Sequence, residues 1–198
     1  MTHKPDLAAL VGSRICHDLI SPVGAISNGM ELIELAGTAS APELSLINDS
    51  VANANAKIRF FRVAFGHASA DQQVGEQEIL TMLDNMSIGA RMMVDWRVEG
   101  AVDRAELRLA YLAILCFESA LPFGGVVSIE RSGTTWSLKG ESEKMRVNDM
   151  LWNALETGSL PEDLTPNQVQ FGLAPHFAKS FGRGIKTSRT ETQLDLSF

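Results

Sequence analysis

Residues 14–22 read Arg14-Ile15-Cys16-His17-Asp18-Leu19-Ile20-Ser21-Pro22, and the pattern around them sets the fold. Apolar or small residues recur at Ala8, Val11, Ile15, Leu19, Pro22, Ile26, Met30 and Ile33. Steps of three and four mark one face of a helix, so the spacing predicts a helix over residues 6–36. Gly37 stands where a left-handed residue closes such a helix. At about 100° per residue, His17 lies about 200° from both Ile15 and Leu19. It therefore projects away from the apolar stripe into solvent, and Arg14, Asp18, Ser21 and Asn28 read as the same polar side. Pro22 breaks the pattern. Inside a helix it removes one hydrogen bond, crowds the carbonyl four residues back and costs ~3 kcal/mol or more. That carbonyl belongs to Asp18, so a bend is expected just after His17. A costly feature beside an exposed histidine marks a candidate site.

A second helix follows at once. Ser40 and Glu43 have capping-box spacing, and Pro42 falls in the first turn, where its missing N–H costs nothing. The apolar series Leu44, Ile47, Val51, Ala54, Ile58, Phe61, Phe65 advances by three and four like a coiled-coil seam and ends at Gly66. The short connection makes the two helices antiparallel. Such a hairpin buries its apolar faces only in part, and two of them close a four-helix bundle, so a homodimer is expected. Residues 67–75 read as a linker. Beyond them the rhythm changes. Helices are expected over 76–88, 103–120, 147–157 and 166–181, with strands over 92–98, 126–131, 135–139, 185–189 and 193–196. The fold class is α+β: a hairpin over 1–66, a linker over 67–75, and an α/β sandwich over 76–198 with helices on one face of a mixed sheet.

Bulk properties exclude several classes. The chain has 198 residues, 45% hydrophobic, with a formal net charge of −7. A packed core is attainable, and an acidic chain is a poor nucleic-acid ligand because phosphate contacts dominate that affinity. No apolar run approaches the ~20 residues of a membrane span, and the start lacks the charged and apolar regions of a signal peptide. A cytoplasmic location is expected. Cys16 and Cys116 have no CxxC partner or ligand spacing and read as reduced thiols.

The run His17-Asp18-Leu19-Ile20-Ser21-Pro22 resembles the H-box of sensor histidine kinases, H-[ED]-x-x-[TNS]-P, in the first of two antiparallel helices, where those proteins carry it. More narrowly, residues 14–22 look like the RLCHDFISP-type segment of the ChpT-type histidine phosphotransferases of the CckA–CtrA phosphorelay family. Arg62-Val63-Ala64-Phe65-Gly66 is similar to the end of their second helix. The likeness extends over nearly the whole chain, more loosely past residue 75. It implies that His17 is the phosphorylated histidine and that 1–66 is a dimerisation and histidine-phosphotransfer unit. It also implies a degenerate ATPase-like domain over 76–198, with the receiver domains of a hybrid histidine kinase and of response regulators as partners.

The same resemblance argues against ATP. Ser119 stands where a working kinase has its Mg²⁺-binding asparagine, Gly140-Glu141-Ser142-Glu143-Lys144 replaces the DxGxG box, and of the lid glycines only Gly172 is kept. No cofactor of its own is expected, Mg²⁺ being supplied by the partner receiver domain. Glu118, alone on an apolar helix, reads as a surface or interface residue rather than a metal ligand. A neutral imidazole, with an ordinary pKa near 6.5, can attack the phosphorus of a phospho-aspartate. Asp18 and Ser21 would orient the ring, and Arg14 would steady the incoming phosphoryl. Two other readings stand beside this one: a functional kinase core that binds ATP, and a dimeric adaptor that docks receivers without being phosphorylated. His3, His67 and His176 read as bystanders. Trp96, Trp136 and Trp152 read as core or interface residues. Arg59 and Arg62 read as a solvated face or as part of a partner surface.

Overall fold

The computed structural model describes residues 5–37, 41–69 and 71–198, so His3 and the capping position Ser40 lie outside the described residues. The first helix, α1 (Leu7–Ala36), starts at Asp6, whose carboxylate accepts the N–H groups of Ala8 and Ala9 at 3.1 Å each. This is the N-cap arrangement that satisfies otherwise orphaned donors. Gly37, at φ 71°, closes the helix and returns its N–H to the Ile33 carbonyl. The helix is continuous through Pro22. The second helix, α2 (Ala41–Ala64), packs against it. Gly29 sets how close they come: a Cβ there would stand 2.6 Å from Ile47 Cγ1.

The remaining elements are β1 (Gln73–Val74), α3 (Glu76–Ser87), β2 (Met92–Trp96), β3 (Val102–Asp103) and α4 (Arg104–Ala120). They continue with β4 (Gly125–Ser132), β5 (Thr135–Glu141), α5 (Asp149–Thr157), α6 (Val169–Ser180), β6 (Lys186–Arg189) and β7 (Gln193–Ser197). The stretch expected as one helix over 166–181 opens instead with a 3-10 turn, Pro166–Gln168, held by a Thr165–Gln168 capping box. β1 and β3 pair antiparallel, so part of the expected linker is a strand. The main sheet runs β2-β4-β5-β7-β6, parallel between β2 and β4 and antiparallel elsewhere. β5 alternates strictly, turning Trp136, Leu138 and Gly140 inward, as a strand does when one face is covered and the other wet.

α4 lies in the middle of the core. From Leu107 to Phe117 every residue is buried, because the sheet, α2 and α6 all pack against it. The core is shared with the hairpin: Phe60, Phe61, Val63 and Ala64 of α2 belong to it, and the Phe60 ring stacks on Tyr111 at 4.5 Å and 8°. Arg104, at the start of α4, donates to the carbonyls of Val63 (2.8 Å) and Arg62, the last turn of α2. All three tryptophans are buried.

Candidate functional site

His17 occupies the outer side of α1 with 69% of its side chain exposed. Its Nδ1 lies 3.0 Å from Asp18 Oδ1. A carboxylate only accepts, so Nδ1 carries a proton, and in the neutral form of the ring the lone pair resides on Nε2, the nitrogen left free. The other Asp18 oxygen takes the Arg14 Nε–H at 2.6 Å. Arg14 in turn donates to the Asn167 carbonyl at 3.2 Å and reaches Glu118 Oε2 at 3.5 Å. The chain of contacts therefore runs from the exposed ring through Asp18 and Arg14 into the turn before α6 and into α4.

This corrects the placement of Arg14 and Asp18. Neither shares the solvent side with His17: their side chains are 10% and 15% exposed. The apolar periodicity traced only one inward row, whereas α1 has a second, facing α4 and α6, in which the polar residues satisfy each other. Arg14 is therefore committed to Asp18 and to the sandwich rather than turned outward. Ser21 is exposed one turn beyond His17 and lines a groove with Pro22, Asn53, Lys57, Asn85 and Ile88. Among the described residues no hydrogen bond joins it to His17. Asn28 is exposed, as expected.

One site residue carries no signal in the motif. Lys57, from α2, donates its Nζ–H to the backbone carbonyl of Asp18 at 3.1 Å. That carbonyl is the one Pro22 leaves without an N–H partner, so the only hint in the sequence was the demand for a donor from elsewhere. Glu118 has 53% of its side chain exposed. The surrounding walls raise its carboxyl above the ordinary range, with Arg14 opposing the rise and the Asp18 charge adding to it.

Ser119 is engaged internally, donating to the Leu115 carbonyl at 3.1 Å and accepting from the buried Gln170 Nε2 at 3.0 Å. Gly172 sits inside α6, where a Cβ would meet Leu7 at 2.8 Å. Phe117, Trp152 and Phe171 meet edge to face under β5, and a Cβ at Gly140 would stand 2.6 Å from the Phe117 ring. Glu141 pairs with Lys139 at 2.6 Å. His67 and His176 are exposed. Among the described residues no group of three or more His, Cys, Asp or Glu is placed to hold a metal, and no helix is long and apolar enough to cross a membrane.

A long hairpin bearing an exposed, carboxylate-held imidazole and backed by an α/β sandwich has the architecture that the H-box resemblance leads one to expect of a histidine phosphotransfer protein. Comparison with known proteins agrees. Residues 76–193 match the family described as histidine phosphotransferase C-terminal domain. Protein phosphotransferase ChpT of Brucella abortus (strain 2308) is 38% identical over 204 residues, covering 98% of this chain and 94% of its own. A solved structure titled as that of a bacterial phosphotransferase at 1.7 Å superposes with a TM-score of 0.81 at 30% identity, covering 100% of this chain and 98% of that one. The chain belongs to the histidine phosphotransferase family and acts in a phosphorelay.

Proposed function

We propose that His17 is the residue that carries the phosphoryl group between receiver-domain aspartates. The observation that carries this reading is the contact between His17 Nδ1 and Asp18 on a ring otherwise open to solvent. With Nδ1 protonated, Nε2 attacks the phosphorus of the receiver's phospho-aspartate. A P–N bond forms, the P–O bond to the aspartyl carboxylate breaks, and that carboxylate keeps the electron pair. The ring becomes cationic as it bonds to phosphorus, and Asp18, fixed by Arg14, balances that charge where it develops. The reverse transfer to a second receiver retraces the same path. Phosphoryl transfer is mostly positioning and electrostatics, and the receiver's Mg²⁺ would supply the rest of the charge stabilisation. Ser21, beside Pro22 in the groove, is placed to meet the docked receiver rather than the ring.

Phosphotransfer needs no nucleotide, and we expect this protein not to bind ATP. Ser119 is engaged with Gln170, Gly172 is packed on Leu7, and aromatic rings fill the space beneath Gly140. A homodimer fits the exposed rows on the hairpin: Val23 and Met30 in α1, and Leu44, Val51 and Ile58 in α2 are 40–56% exposed at seven-residue steps.

The test is transfer from a phosphorylated receiver. Wild-type protein should gain an acid-labile, base-stable label, and folded His17→Gln should gain none. A label that persists, or that maps to His3, His67 or His176, overturns the assignment. Labelling directly from ATP would make the protein a kinase, and no label from any receiver would make it an adaptor. Calorimetry with ATP and Mg²⁺ should detect no binding. A dissociation constant below about 100 μM, roughly −5.5 kcal/mol, would revive the kinase reading.

A further inference from the structure

Pro22 sits one turn past the histidine and is buried. A helix carbonyl at position 18 accepts from the N–H at position 22, and proline has none. A polar group left unsatisfied in a partly buried place is unfavourable. Here the missing donor comes from the other helix: Lys57 Nζ meets the Asp18 carbonyl at 3.1 Å. The same residue, Asp18, contributes its two carboxylate oxygens to His17 Nδ1 and Arg14 Nε. Thus one residue is fixed at three points, its backbone by α2 and its carboxylate by Arg14 and the imidazole.

We infer that Lys57 is a positioning residue for phosphotransfer, supplying from the second helix of the same chain the hydrogen bond that Pro22 removes and so fixing the peptide from which Asp18 orients the His17 ring. The inference rests on His17 as the phosphoryl carrier. It assigns Lys57 no contact with the phosphoryl group. Lys57 is half buried, and its ammonium is engaged with that backbone carbonyl. Its function is to remove freedom from the turn below the nucleophile, and errors of an ångström in such placement cost rate.

This makes the role of Lys57 conditional on Pro22. Lys57→Met keeps the apolar stem and removes the donor. Pro22→Ala restores an N–H that reaches the Asp18 carbonyl within the helix. Transfer from a phosphorylated receiver is measured for wild type, both single variants and the double variant, full length and checked for folding by circular dichroism. Lys57→Met should slow the transfer step about ten-fold with the KM for the receiver unchanged. In the Pro22→Ala background the same change should cost less than about two-fold, since the carbonyl is already satisfied. Lys57→Arg, which keeps a donor, should recover much of the rate. Nitrogen-15 spectra of the ring give an independent readout: the Nδ1–H tautomer of His17 should dominate in wild type, mix in Lys57→Met and return in the double variant.

Equal losses in both backgrounds would mean that Lys57 acts on the phosphoryl group or the receiver directly, and would overturn the inference. So would a rise in KM alone, or no loss at all. Failure of the His17 reading is seen separately, as label accepted by His17→Gln. The ring spectra report on the Lys57 bond whichever residue is labelled.

Discussion

At the scale of single residues, environment separates side chains of the same type. Cys16 is exposed beside His17, whereas Cys116 is fully buried in α4 and its thiol is pushed well above the ordinary value by desolvation. The thiolate is the reactive form. A maleimide should therefore modify one cysteine in the native protein, Cys16, and the second only after unfolding. A bulky adduct next to His17 should also block transfer, and rapid native labelling of Cys116 would contradict the packing. Glu118 gives a pH prediction. Its raised folded-state carboxyl means that the folded protein holds this proton more tightly than the unfolded chain does. Its contribution is therefore most favourable below the ordinary carboxylate range and declines as pH rises through that range towards the raised value. Glu118→Gln has no proton to lose, so melting curves from pH 4 to 8 should show its stability relative to wild type rising with pH. The effect is small, since the side chain is more than half exposed, and a relative fall would contradict it. His17 was legible because its exposure follows from helical rotation and its neighbours form a motif. Arg14 was misplaced because a charged residue on a helix reads as solvated unless its partners are known, and these come from residues 118 and 167, more than a hundred positions away. Lys57 was not legible because its partner is a backbone carbonyl, which leaves no mark in the sequence.

At the scale of elements, the long periodic helices and the alternating strands were legible to within a few residues. β1 and β3, two residues each, were not, because no alternation can be seen in two residues. They form where the chain returns to α4, with Arg104 N–H donating to the Gln72 carbonyl at 2.7 Å. The Arg104 side chain then caps the end of α2, an element more than forty residues away in sequence. A helix leaves its last four carbonyls unpaired, and here a buried guanidinium supplies the donors for two of them. Burial lowers its pKa, with the charges of Arg108 and Arg62 adding to the effect, and arginine still stays charged. Arg104→Ala would leave both carbonyls without these donors and should cost about 2–3 kcal/mol. Urea unfolding should show a lower midpoint at unchanged slope. A loss under about 0.5 kcal/mol would mean that water replaces the cap without penalty.

At the scale of the whole molecule, the hairpin has two sides. One meets the sandwich through Arg14, Asp18 and the end of α2. The other leaves Val23, Met30, Leu44, Val51 and Ile58 open. Rotation along two antiparallel helices puts both rows on the same side, away from Arg14 and Asp18. Contiguous apolar rows at seven-residue steps suit a second hairpin related by a twofold axis, in which each row meets its own copy. The expected particle has twice the 21.5 kDa chain mass, 43 kDa, with two His17 rings outside the bundle, each able to serve one receiver. Val51→Glu separates this arrangement from a monomer. In a monomer Val51 is a surface position, and a charge there should change stability by no more than about 0.5 kcal/mol. In a bundle each copy would bury an unpaired carboxylate at a cost of several kcal/mol, applied twice by symmetry. Light scattering at micromolar concentration should therefore give 43 kDa for wild type and 21.5 kDa for Val51→Glu, with helical content kept in both. Wild type at 21.5 kDa, or a variant that remains at 43 kDa with its stability unchanged, would remove the apolar rows as the interface.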